Sequence, residues 1–374
     1  MLSIRLLGGK VESYPITSQP RMNQLHILYR AEGSRRIGTG HVLRAVRLSE
    51  VWHNQGIGEV TLALSGDEVG AALAERAAAT VIKVNGVEPL NGKPVFHADS
   101  LANAVGNRIY DVAVVDMLDT GLGELAALSG LARTVVTLDD RGPGRTEADA
   151  LINILVREPH PERLPSSVRL MQGPQYATLD ASYAEPTPSR SYIPAPCRVL
   201  VTLGGSDSSG LTVKVACAMS KLDCVAEATF VCGVGAVHDA DLRRILKTAS
   251  WPGRILQQVP TLRDLLIDAD VAVVAGGLTM HEACRVGTPA LAVCQPIDHQ
   301  EELAEWFRSC GAMETVGNGV SATLDDIRGA LARLICDSDA RNAMGQAGPP
   351  LVDGKGTERT ASAIAALAKR PIKE

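Results

Sequence analysis

Aromatic residues are scarce, with three Phe, three Trp and six Tyr in 374 residues. So few rings leave little for nucleobases to stack on, and a net charge of −5 gives no basic footprint for a phosphate backbone. No nucleic-acid partner is therefore expected. Long apolar runs are missing too, and none approaches the roughly 20 residues that a bilayer-spanning helix needs. The opening "MLSIRLLGGK" is interrupted too quickly for a secretory signal, so a cytoplasmic protein with no membrane span is expected. The eight cysteines, all beyond position 196, form no CxxC and no Cys/His ligand spacing, which predicts reduced thiols acting as small hydrophobes. No Asp-x-Asp stands at a strand end near the glycine-rich turns, so neither a metal nor a cofactor is expected. A P-loop and a complete GxGxxG with its later acidic residue are also absent, which disfavours ATPase and dehydrogenase chemistry.

What is present is a soluble globular composition, 45% hydrophobic and 21% charged, in a chain long enough for two domains. Short β-rich runs alternate with helical patterns throughout, which predicts an α/β protein with parallel sheets. In the first half, strands are predicted at 25–30, 60–64, 79–83, 112–116, 134–138 and 150–153, with helices at 41–54, 68–76, 99–106 and 122–130. "AEPTPSRSYIPAP" (184–196), with four prolines and no periodicity, reads as a linker. The rhythm then restarts with strands at 198–203, 227–232, 254–259, 271–275 and 290–294. The expected division is an extension at 1–24, a Rossmann-like domain at 25–190, and a nucleotide-binding Rossmann-like domain at 191–374. The last helix, with Ala361, Ile364 and Leu367 at helical spacing, is expected to pack back toward the first domain. Two doubly wound sheets leave a cleft facing the carboxyl ends of their strands, where ligands bind.

Three glycine-rich turns fall at such strand ends: "GTGH" (38–41), "LGGSD" (203–207) and "AGGLTMHEA" (275–283). Glycines let a backbone approach a ligand, and the helix that follows offers free N–H groups and a partial positive charge. A tight turn alone accounts for any one of them; three together fit a nucleoside diphosphate held across the cleft. Glu282 falls about one turn into the helix after Gly277, where a carboxylate can accept hydrogen bonds from both ribose hydroxyls, or simply complement the helix dipole. His41 opens a helix whose partial positive charge favours the uncharged ring, fitting a general base that activates a hydroxyl at the sugar carbon.

"YRAEGSRRIGTGHVLR" (29–44) resembles the Arg-x-Asp-x5-Gly-x-Gly-His-x2-Arg signature of the UDP-2,4-diacetamido-2,4,6-trideoxy-β-L-altropyranose hydrolases of pseudaminic acid biosynthesis. The resemblance continues in order through "LDD" (138–140), "ADALIN" (148–153), "GPQYATL" (173–179), "LVTLGGSD" (200–207), "AGGLTMHEA", "PIDHQ" (296–300) and "LVDGKGTER" (351–359). It implies the two-domain GT-B fold, a UDP-sugar substrate, and metal-free hydrolysis of the anomeric C–O bond with inversion. It also implies His41 as the catalytic histidine, Glu282 as the ribose ligand, Gly276 and Gly277 as phosphate-facing glycines, and Gln300 near the sugar. The expected substrate contacts are completed by Arg30, Gly38, Gly40, Arg44 and Asp116 on the first side and by Gly204, Gly205, Ser206 and Thr279 on the second.

This chain departs from the family at Glu32 for its aspartate, Leu118 for a tyrosine, His281 for a tryptophan and His299 for an asparagine. The nucleotide side is thus kept while the sugar side is altered. Three readings stand: a hydrolase of a UDP-linked amino or deoxy sugar in surface-glycan synthesis, an inverting glycosyltransferase with the same donor, and a non-catalytic nucleotide-sugar sensor. An apolar or basic membrane-facing patch would favour the transferase, and none is evident in the first half. An intact His41 and Glu282 weigh against the sensor.

Overall fold

The computed structural model describes residues 24–34, 38–84, 87–90, 93–95, 98–106, 108–188, 196–205, 207–233, 239–257 and 259–368. Ser206 and nearly all of the 1–24 extension lie outside the described residues. The first sheet contains β1 (Leu25–Gly33), β2 (Gly58–Gly66) and β3 (Ala79–Lys83). A small antiparallel pair follows, β4 (Val87–Leu90) and β5 (Lys93–Val95), and then β6 (Val112–Asp116), β7 (Val135–Leu138), β8 (Ala150–Asn153) and β9 (Arg169–Gln172). Its order is β3-β2-β1-β6-β7-β8-β9, all parallel. The second sheet contains β10 (Cys197–Thr202), β11 (Val225–Cys232), β12 (Gly253–Gln257), β13 (Val271–Val274), β14 (Ala290–Cys294) and β15 (Glu314–Asn318), in the parallel order β12-β11-β10-β13-β14-β15.

The central strands are continuous apolar runs because helices cover both faces of a parallel sheet. Every residue of β6, β7, β8, β13 and β14 is buried. The strand runs read from sequence all form strands. The added elements β4, β5, β9 and β15 are short or half-polar, and β15 carries only half-buried or exposed side chains, so its apolar signal is weak.

The order of strand addition reverses once in each sheet, between β1 and β6 in the first and between β10 and β13 in the second. At such switch points the following loops part to opposite faces and open a crevice beyond the carboxyl ends. "GTGH" follows β1, "LGGSD" follows β10 and "AGGLTMHEA" follows β13, so all three glycine-rich turns flank the two switch points.

The two halves are stitched together by the ends of two helices, α1 (Gly40–Asn54) and the C-terminal helix Gly356–Ala368. Trp52 of α1 is fully buried against Tyr29, and its indole N–H donates to the Ala361 carbonyl at 3.0 Å. Thr357 and Thr360 donate to the carbonyls of Leu179 and Tyr176. A Cβ on Gly356 would lie 2.1 Å from the Ala177 carbonyl oxygen, so only glycine lets the chain cross this close. Trp52→Phe removes the indole N–H that donates to the Ala361 carbonyl and part of the ring that fills this dry contact. A loss of about 1–3 kcal/mol is expected, read by denaturant unfolding.

Candidate functional site

Both α1 and α8 (Leu278–Arg285) begin without a side-chain cap, at Thr39 and Gly277. The first N–H groups of a helix have no partner within it, so these two ends present unpaired donors. The helix after β10, α5 (Leu211–Met219), differs. Asp207 accepts from the N–H groups of Leu211 at 2.8 Å and Thr212 at 2.9 Å, closing that helix end with the chain's own carboxylate. Asp207 has a positive φ of 39° and is also held by Gln295 Nε2 at 3.1 Å.

The glycines divide by task. Gly38 and Gly204 both sit at φ +96°, a conformation other residues adopt at a cost, and both face open space. A Cβ on Gly205 would come 3.3 Å from Thr39 Oγ1, which measures how nearly the loops of the two sheets touch. Gly277 also faces open space, whereas a Cβ on Gly276 would lie 2.4 Å from Gln300 Cβ. Gly276 therefore packs the loop against α9 (Asp298–Ser309), and the open approach is at Gly277. Between the loops lies a cavity of about 540 Å³, lined by Gly38, Thr39, Arg47, Arg76, Asp180, Gly204, Gly205 and Thr279, and on its apolar side by Val231, Val259, Pro260 and Leu262. That volume is the size of an ordinary small-molecule site.

His41 lies beside this cavity and is anchored from below. Its Nδ1–H donates to Asp116 Oδ1 at 2.6 Å, leaving Nε2 as the ring's acceptor. Asp116 ends β6 and pairs in register with Ala31 of β1, so the reversal of strand order brings it under the histidine. Its carboxylate also accepts from Tyr29 OH at 2.7 Å, from Arg44 Nε at 2.7 Å and from Arg44 Nη2. Burial pushes the Asp116 carboxyl up, but Arg44 and His41 outweigh it and hold the group down at about 2. Arg44 reaches on through Nη1 to Asp139, whose other oxygen accepts from the N–H groups of Ile154 at 2.6 Å and Leu155 at 2.7 Å. A Tyr29–Asp116–Arg44–Asp139 network thus fixes the imidazole.

Across from α1, Glu282 is buried in α8, and its Oε1 lies 3.9 Å from Arg47 Nη2 of α1. Burial raises its carboxyl, Arg47 lowers it and Asp180 raises it. His281, beside it, is fully buried edge-on against Phe307 at 5.0 Å, and burial pulls it down to about 4. His299 is also shifted down, by burial first; Asp139 and Glu302 oppose that shift, while Arg141 and His41 reinforce it. His299 thus sets a largely uncharged imidazole within electrostatic reach of His41. Gln300 is turned inward, its Oε1 accepting from the Gln295 N–H at 3.1 Å.

Arg30 is buried, donating to the Ala31 carbonyl at 2.7 Å and to Ser65 Oγ at 3.0 Å, with Glu32 at 3.6 Å. The longer Glu32 side chain is thus used in an ion pair beneath the loops. Leu118 contributes its carbonyl to the Arg141 N–H at 2.8 Å.

The structure brings Gly38, Gly204, Gly205 and Thr279 to one cavity, with His41 beside it in the first turn of α1. Arg44 and Asp116 lie behind His41, and Glu282 stands opposite on α8. It also recruits residues that the sequence did not single out: Tyr29, Arg47, Asp139 and Asp180. Asp139 left a trace in the paired acids of "LDD" after an apolar strand, and its φ of +52° is unusual for a side-chain-bearing residue. Among the described residues no group of three His, Cys, Asp or Glu side chains is placed to hold a metal ion, and no helix is long and apolar enough to cross a membrane.

No family model matches the chain. It is similar to the spore coat polysaccharide biosynthesis protein SpsG of Bacillus subtilis (strain 168), 25% identical over 355 residues that cover 93% of this chain and 100% of SpsG. Among solved structures it superimposes on Acinetobacter baumannii MurG with a TM-score of 0.64 at 16% identity, over 91% of this chain and 99% of MurG. The calicheamicin glycosyltransferase CalG4 gives 0.62 at 17% identity, over 94% and 100% of the two chains. LpCGTa, solved in complex with UDP, gives 0.61 at 14%, over 93% and 100%. The architecture is the GT-B fold of two Rossmann-like domains.

Proposed function

We propose that the protein transfers a glycosyl group from a uridine diphosphate sugar, with inversion at the anomeric carbon, to the hydroxyl of an acceptor. The observation that carries this reading is the His41–Asp116 pair at the switch point of one sheet, beside a cavity that the strand-end loops of both sheets line, with Glu282 of α8 reached from the same helix through Arg47. In the proposed step His41 Nε2 takes the acceptor's proton as its oxygen bonds to C1. The C1–O bond to UDP breaks and its electron pair passes to the β-phosphate oxygen. The uncapped N–H groups of α1 and α8 meet that developing charge, and Asp116 stabilises the imidazolium. Support comes from the names of the similar proteins, a polysaccharide biosynthesis protein and a glycosyltransferase, and from the UDP in LpCGTa.

Hydrolysis is the second reading, favoured by the collinear motifs shared with the altropyranose hydrolases. It uses the same atoms, with water as the acceptor. Incubation with a panel of UDP-sugars, with and without hydroxyl acceptors, separates the two. UDP release that needs an acceptor supports transfer, and UDP with free sugar in water alone makes the protein a hydrolase. No UDP from any donor, together with no UDP binding, sinks both.

Glu282→Ala removes the proposed ribose ligand. Two charge-assisted hydrogen bonds are worth about 1.5–3 kcal/mol each at most, so UDP affinity is expected to fall roughly ten-fold or more. Unchanged affinity by calorimetry removes Glu282 from the site.

A further inference from the structure

The helix that carries the histidine also reaches the nucleotide wall. His41, Arg44 and Arg47 follow one another at three-residue steps along α1, and each step turns the side chain back by about 60° around a helix axis. His41 and Arg44 aim at Asp116, while Arg47 is rotated toward the second domain. Its Nη1 donates to the Thr178 carbonyl at 2.7 Å, and its Nη2 stops 3.9 Å short of Glu282 Oε1. The anchor is a full hydrogen bond and the ion pair is not, so one end of the guanidinium is fixed and the other is held against a carboxylate with room for a further donor. Both side chains are largely buried, 17% and 8% exposed, so water screens the pair little.

Resting on the reading of Glu282 as the ribose ligand, we propose that Arg47 is a positioning residue for it. The first domain then completes the nucleotide site by holding the Glu282 carboxylate for the ribose hydroxyls.

The groups facing Glu282 make this necessary. From α1 comes Arg47, and from the segment 180–183 come the Asp180 carboxylate and the Tyr183 phenol. Burial pushes the Glu282 carboxyl up and Asp180 adds to that, while Arg47 is the cation that opposes both. Without Arg47 the acid is driven toward its protonated form, which accepts fewer hydrogen bonds and offers no charge to the ribose. Nucleotide affinity thereby depends on contact between the domains, because the carboxylate belongs to one and its counter-ion to the other.

The test is UDP binding by calorimetry between pH 8 and pH 5.5, with the full chain carrying Arg47→Gln, Arg47→Lys, Glu282→Gln or the Arg47→Gln/Glu282→Gln pair. Arg47→Gln is expected to weaken UDP about ten-fold at pH 7. The ratio of variant to wild-type Kd should grow as the pH falls, and taking the ratio cancels the titration of UDP's own terminal phosphate. In the Glu282→Gln background the further loss on removing Arg47 should be less than two-fold and independent of pH. Arg47→Lys, which keeps the charge, should recover most of the affinity and remove the pH trend. If Arg47→Gln does not fold, Arg47→Met, which keeps the stem and removes the charge, carries the same comparison in the presence and absence of Glu282→Gln.

Equal affinity and an equal pH profile in Arg47→Gln and wild type overturn the proposal. So does an undiminished loss in the Glu282→Gln background, which would place Arg47 on the nucleotide itself. A wild-type protein that binds no UDP fails the underlying functional reading instead, and a wild-type protein that binds UDP regardless of Glu282 fails the ribose assignment.

Discussion

Replacing His41 by alanine is expected to lower turnover by about 10²–10⁴-fold, the usual range for loss of a positioned general base. The side chain is held in place beside the cleft by Asp116. Asp116, ionised down to about pH 2, can only accept, so it commits Nδ1 to carrying the proton and leaves Nε2 free for the acceptor hydroxyl. Asp116→Asn should reproduce much of the loss by removing the charge that stabilises the imidazolium and by allowing the wrong tautomer. UDP affinity should barely change in His41→Ala, because its ring is held by Asp116 and the proposed nucleotide contacts, Glu282 and Thr279, belong to α8. The check is steady-state turnover beside calorimetric binding of UDP in the same variant. Full turnover would reduce His41 to a packing residue. A parallel loss of binding and turnover would make it a phosphate ligand.

The architecture was legible because a parallel sheet writes itself into sequence as fully apolar strands. "VAVVD" and "VAVV" are buried at every position, and the glycine-rich turns punctuate their ends. The elements that escaped notice, β9 and β15, carry mixed or half-exposed residues at sheet edges, where burial on two faces is not required. At the site, glycines and histidine announce themselves because few residue types can do their work. Gly276 shows the limit of that reading, since its missing side chain makes room for Gln300, and the sequence around it looks the same either way. Arg47 and Tyr29 carried no signal at all. Each sits in an amphipathic or apolar pattern where an arginine or tyrosine is ordinary, and only the strand order and the approach of the two domains give them partners. The two steps of the Asp116–Arg44–Asp139 relay likewise join positions 72 and 95 residues apart, a distance no local pattern spans.

That relay makes Arg44 the residue whose loss should most disturb the fold. Its guanidinium is buried between Asp116 and Asp139, and removing one member of a buried ionic cluster leaves the others uncompensated, at about 3–5 kcal/mol. Arg44→Met, which keeps most of the packing volume, is expected to lose that much stability at pH 7 by denaturant unfolding. The pH dependence distinguishes charge from shape. In the wild type the Asp116 carboxyl is depressed from 3.8 to about 2, so its contribution is present above about pH 4 and is lost as the pH falls toward 2. In Arg44→Met burial is opposed only by His41 and by the Tyr29 hydrogen bond, so the carboxyl rises and its protonation below about pH 4 costs the folded state less than in the wild type. The gap between the two proteins should therefore be widest near neutrality and narrow steadily below about pH 4. A gap under about 1 kcal/mol, the scale of an exposed pair, or one that holds constant from pH 7 to pH 3, would mean that Arg44 packs beside His41 without organising it.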